Sequence, residues 1–142
     1  MKLASTVAGT AALTALAALA VALRLSPVVI EVSGDSMRPT YAPGDRLLAV
    51  RRPQWAKTGR CVVLRRQTAG DQIDTLAIKR LAAVEGDPVP QEVRRFPNDG
   101  GGPLVPPGMI AVLGDGVRST DSKSYGLIPA TSIVAVVLMK LT

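Results

Sequence analysis

The stretch SGDSMRPTYAPGD, 33–45, holds Ser36 and Thr40, whose hydroxyls could attack a carbonyl, set among turn-forming Gly, Asp and Pro. A serine hydroxyl becomes a nucleophile only when a neighbouring group accepts its proton. The chain has no histidine, so neither a Ser-His-Asp nor a Cys-His arrangement can be built. With no histidine and one cysteine, Cys61, the usual zinc ligand sets fail too, and no metal or other cofactor is expected. The bases that remain are carboxylates, a neutral lysine and the chain's amino terminus, which residues 3–23 separate from Ser36.

A lysine serves as a base only if its pKa falls from ~10.4 toward neutrality, which requires desolvation or a nearby positive charge. The candidate is therefore a lysine embedded in apolar sequence. Of Lys2, Lys57, Lys79, Lys123 and Lys140, only Lys79 meets that condition. In DTLAIKRLAAV, 74–84, strand alternation puts Ala77, Lys79, Leu81 and Ala83 on one face. Two readings stay open from these residues alone: a lysine in a dry pocket, or an edge-strand lysine whose head snorkels to water.

The elements that must position these residues are short. After Pro27 the runs 28–33, 46–50, 61–66, 74–84, 109–114 and 133–139 are rich in Val, Ile and Leu and bounded by Gly, Pro or Asp. They predict a mainly β domain, a curled sheet or partly closed barrel. Cys61, in CVVLRR, is expected as a buried strand residue. The Pro- and Gly-rich segment 87–107 predicts a long loop or short hairpin. Residues 3–23 carry no charge, and as a helix they would span a ~30 Å hydrocarbon core. This predicts one N-terminal transmembrane helix, with a cleaved secretory signal and a buried helix as competing readings. The chain then divides into an anchor, 1–25, and a β-rich domain, 26–142. Lys2 before the segment and Arg24 after it lean weakly toward a cytoplasmic N-terminus. That places the domain on the outer side of the cell (inner, cytoplasmic) membrane. The formal charge of +6 suggests an anionic partner. Aromatic residues make up only 3% of the chain, which favours lipid headgroups over nucleic acid. Trp55, among Arg51, Arg52 and Lys57, suits a lipid interface or a plain solvated loop.

Three segments in order, SGDSMRPT, IKRLAAVEGDPV and GDGVRSTDSKSYGLIP, closely resemble the serine, lysine and terminal boxes of type I signal peptidases, the S26-type Ser/Lys proteases. The resemblance covers most of 28–138. It implies Ser36 as nucleophile, Lys79 as general base, Ser119 as a hydroxyl orienting the lysine, and Asp121 as a supporting acid. Met37 and Pro39 match the turn that presents the nucleophile, and Met37 and Tyr41 are candidates for the substrate groove. It further implies a protease domain docked at a membrane, with preprotein signal peptides as substrates and membrane lipids as partners. A dedicated maturation protease trimming one precursor is the alternative. The sequence departs from the pattern at four points. Gly34 replaces a hydroxyl that some relatives place at the oxyanion, leaving more to the Ser36 N–H, with Ser33 as a neighbouring substitute. Gly116 stands where Asn is common, Lys123 where Arg is common, and Arg60 where Asp is usual.

Overall fold

The structure, a computed structural model, describes residues 3–66, 75–94 and 102–142, with side chains of the first helix described from Thr10 onward. The expectations for Lys2, Asp74, Arg95 and the middle of the 87–107 segment lie outside the described residues. Helix α1 runs Leu3–Leu25. Its Leu13, Leu16, Leu19, Val21 and Leu23 are exposed. Thr14 Oγ1 donates back to the carbonyls of Thr10 and Ala11 at 3.1 and 2.9 Å. Among the described residues no helix is long and apolar enough to cross a membrane. The expected transmembrane anchor is therefore unsupported. The segment is helical, but alanine dominates it and Arg24 closes it.

At Ser26 the backbone turns through φ 47° and becomes a strand. The chain then builds β1 (Pro27–Glu31), β2 (Arg46–Val50), β3 (Cys61–Arg66), β4 (Thr75–Ala83), β5 (Met109–Leu113), β6 (Ile128–Pro129) and β7 (Ile133–Lys140). All pairings are antiparallel, in the order β1-β2-β7-β3-β4-β5-β6. The domain is mainly β, as expected, and of the two expected forms it is an open sheet, with β1 and β6 at its edges, and not a closed barrel. Register shifts at Leu48/Ala49, Val63/Leu64 and Leu81/Ala83 mark bulges. Each adds local twist, which curls the sheet.

Alternation along the strands splits the apolar residues between two faces. Leu47, Ala49, Val63 and Ala135 pack with Met37 on one side. Val62, Leu64, Leu81, Ile110, Val112 and Val136 pack on the other. Each fully buried Leu or Val contributes roughly 1.5–3 kcal/mol. Cys61 is buried in β3 and free, as expected. A third cluster joins Ala83 and Ala111 to Val89, Val93 and Val105, so the described part of the 87–107 segment folds down onto the sheet.

Candidate active site

The turn carrying Ser36 is fixed from both ends. Arg38 N–H donates to the Asp35 carbonyl at 3.1 Å, and the two side chains form an ion pair at 2.5 Å. Tyr41 N–H donates to the Met37 carbonyl at 2.8 Å. Met37 is buried in the first core cluster and pins the turn to the sheet. Ser36 beside it stays half-buried. Its carbonyl accepts the Gly116 N–H at 2.8 Å.

Lys79 sits in β4, which lies inside the sheet between β3 and β5. An interior strand gives its side chain no edge from which to snorkel, and Lys79 is 3% exposed. The predicted face holds, with Lys79, Leu81 and Ala83 all buried. Lys79 Nζ donates to Ser119 Oγ at 2.9 Å. Desolvation pulls its pKa below the ordinary lysine value. The Asp121 charge opposes that shift, and the Arg66 and Lys123 charges add to it.

Asp121 caps helix α2 (Ser122–Tyr125), accepting the Lys123 N–H at 3.0 Å. It also accepts the Gly114 N–H at 2.8 Å, and Lys123 Nζ lies 3.5 Å away. Burial alone would raise this carboxyl. Hydrogen bonds from Gly114, the Ser119 hydroxyl and the Lys123 N–H outweigh burial, with help from the Lys123 charge, and hold it below the usual carboxylate range. Ser119 thus donates a hydrogen bond to Asp121 and accepts one from Lys79. Ser122 Oγ accepts the Val112 N–H at 2.9 Å, which fastens α2 to β5.

Two glycines bring the terminal segment against the Ser36 turn. A Cβ at Gly114 would lie 1.9 Å from Ser119 Oγ and 2.5 Å from the Ser36 carbonyl oxygen. These two atoms are therefore close neighbours across Gly114. A Cβ at Gly116 would lie 2.5 Å from the Asp35 carbonyl oxygen. The Asn common in relatives would need the Asp35–Ser36 backbone to move here.

A second tie was not legible in the sequence. Arg80 grips Asp115 with two hydrogen bonds, 2.8 and 2.6 Å, and donates to the Gly59 carbonyl at 2.7 Å. Asp115 also accepts Thr40 Oγ1 at 2.5 Å. The Arg80 fork holds the Asp115 carboxyl below its ordinary range. Both residues stand inside the quoted boxes, beside Lys79 and Gly114, but nothing local signals that they meet.

Ser36, Met37 and Lys79 line one cleft of about 1130 Å³, together with Ser33, Gly34 and Thr120. Ser119 and Asp121 support it from behind. A Cβ at Gly34 would meet nothing within 4 Å. Tyr41 is not brought to this cleft. It packs on the first core cluster, and its hydroxyl bonds to Cys61; burial first, then Cys61, pushes its pKa up to about 12. Trp55, in a short 3-10 turn (Pro53–Trp55), is 41% exposed.

No curated protein matches the chain. A family model described as signal peptidase, peptidase S26, matches residues 3–93, well over half of the 142 residues and including both Ser36 and Lys79. The chain therefore belongs to the signal peptidase family, peptidase S26, and is a signal-peptidase-like serine peptidase.

Proposed function

We propose that this protein is an endopeptidase in which Ser36 is the nucleophile and Lys79 its general base, and that it removes signal peptides from exported preproteins. One observation carries the reading. A lysine buried in a sheet interior, desolvated and held by a hydroxyl, lines the same cleft as a half-exposed serine on a braced turn. An amine so placed is suited to take the Ser36 proton in a chain without histidine.

In this mechanism an extended substrate segment lies in the cleft. Neutral Lys79 Nζ takes the proton from Ser36 Oγ as the oxygen attacks the scissile carbonyl. The Ser36 N–H stabilises the oxyanion. The C–N bond breaks, and Lys79 gives its proton to the leaving amine. Water then attacks the acyl-enzyme, again losing a proton to Lys79, and Ser36 leaves with that proton as the free enzyme reforms. Ser119 and Asp121 orient the amine through the hydroxyl they share with it.

The proposal also sets the work at the outer face of the cytoplasmic membrane, with lipid contact through α1. Its support is the charge-free segment 3–23 and the exposed apolar residues of α1. Failure of the full chain to float with anionic phospholipid vesicles would reject that part alone. For the chemistry, Ser36→Ala and Lys79→Ala proteins are incubated with a preprotein. Both should fail to cleave it, and retained cleavage by either rejects the assignment. Cleavage of several unrelated preproteins separates a general signal peptidase from a protease dedicated to one precursor.

A further inference from the structure

Beyond the residues assigned above, Arg66 stands out. It ends β3 opposite Thr75 of β4. In that register Val62, Leu64 and Arg66 face the same way as Lys79, Ala77 and Thr75. Arg66 and Lys79 line the same cleft. The Arg66 guanidinium lies 5.9 Å from the centre of the Tyr125 ring, within cation–π range. Tyr125 closes α2, the helix whose cap is Asp121.

We propose that Arg66 is a positioning residue for the reaction: seated on the Tyr125 ring, its fixed positive charge at the cleft wall keeps the Lys79 amine free to accept a proton. The inference rests on the reading of Lys79 as base.

The other charges around Lys79 do not do this work. Asp121, before α2, favours the protonated amine, and Lys123 on α2 partly cancels it at 3.5 Å. Asp115 at the cleft is held in the Arg80 fork, and Arg80 itself points to the opposite face of β4. Asp35 pairs with Arg38. Glu31 and Arg118 line the cleft as well, with opposite charges. The Tyr125 phenol is raised by burial and stays neutral near neutral pH. Among the described residues Arg66 is thus a cation on Lys79's own sheet face, seated on the Tyr125 ring. Without it one of the two positive charges that oppose Asp121 at Lys79 is lost, while desolvation, the larger cause of the lowered pKa, remains.

The test uses the full chain and the pH profile of kcat/KM on a signal-peptide substrate, for wild type, Arg66→Gln and Arg66→Lys. For an exposed cation acting through partly screened space, the acid limb of Arg66→Gln should move up by about half a pH unit. Arg66→Lys should keep the wild-type limb. Raising salt from 0.1 to 1 M, which shortens the screening length from ~10 to ~3 Å, should move wild type toward Arg66→Gln. An unmoved limb in Arg66→Gln overturns the proposal. So does a rise in KM with no movement of the limb, which would assign Arg66 to substrate binding. If Arg66→Gln fails to fold, Arg66→Met, which keeps an alkyl stem against the Tyr125 ring, is read for the same shift. Retained activity in Lys79→Ala would sink the base reading itself, whereas an essential Lys79 with an indifferent Arg66 sinks only this inference.

Discussion

Gly114→Ala is the sharpest probe of the site, because one methyl group tests how its two halves meet. The added carbon would sit 1.9 Å from Ser119 Oγ, 2.4 Å from Ser119 Cβ and 2.5 Å from the Ser36 carbonyl oxygen. None of these is the end of a flexible side chain. Ser119 Oγ is held between Lys79 and Asp121, and the Ser36 carbonyl is held by the Gly116 N–H. Relieving contacts more than 1 Å too short requires the Ser119 segment and the Ser36 turn to separate. Overpacking of this kind costs about 1–3 kcal/mol of stability. Displacing catalytic groups by about 1 Å costs roughly 10²-fold in rate. The variant should therefore stay folded, melt several degrees lower and lose about 10²-fold in kcat on a preprotein substrate. Gly34→Ala is the steric control, since its Cβ meets nothing within 4 Å and its melting temperature should not move. Wild-type kcat in Gly114→Ala would show that the Ser119 segment and the Ser36 turn need not touch, and the reasoning would fail.

Lys79→Met should be inactive yet at least as stable as wild type at neutral pH. Burial lowers the Lys79 pKa, so between the folded value and ~10.4 the unfolded chain binds more protons. Stability should therefore rise with pH across that window in wild type and lose this slope in Lys79→Met, as thermal melts at several pH values will show. Activity should fall on acidification, because a protonated Lys79 accepts nothing; a rate flat down to pH 5 contradicts a lysine base. Asp121 has the opposite sign: its depressed carboxyl contributes stability above the ordinary Asp pKa that is lost as pH falls through the lowered value. Asp121→Asn should flatten that acid loss in urea titrations. Arg80→Lys replaces a two-point grip on Asp115 with a point charge and should cost about 1 kcal/mol at this partly exposed pair, read from urea midpoints. Gly34→Ser fits without strain and adds a hydroxyl beside the nucleophile turn. If that hydroxyl reaches the oxyanion, kcat should rise by up to ~10²-fold, and a fall in kcat at unchanged stability would show that it points elsewhere.

Six apolar runs were readable as strands because alternation and turn residues are local signals, and all six appear. β6, two residues long, and α2, four residues long, are too short to carry a period. Lys79 was visible as a lysine in apolar sequence, but its dryness was not. That follows from β4 having a neighbour on each side, a fact of topology. Gly114 and Gly116 read as ordinary turn glycines. Neither has a positive φ; both are required by a close approach to residues about 80 positions earlier. The Thr40–Asp115 bond spans 75 residues, and no local pattern encodes such a pairing. Tyr41, near Ser36 in sequence, turns to Cys61 because the Met37 turn directs it into the core.

Among the described residues the buried polar and charged side chains are Lys79, Ser119, Asp121 and Ser122, and every buried side-chain polar atom has a partner. Lys79, Ser119 and Asp121 form one hydrogen-bonded network beneath the cleft, and Ser122 accepts the Val112 N–H beside it. Burying an amine and a carboxylate in a sheet interior costs several kcal/mol per ion before pairing, and apolar residues of the same volume would serve stability as well or better. Among the described residues no other charged side chain is buried, so the fold shows no structural need for this arrangement. What the network supplies is direction. Asp121 claims the Ser119 proton, Ser119 accepts one Lys79 N–H, and that bond fixes where the remaining lone pair of a neutral amine can point. Gly114 then sets how close the Ser36 turn comes to Ser119, the partner of that amine. On the proposed reading, the buried amine at position 79 serves as an oriented, uncharged nitrogen at the cleft.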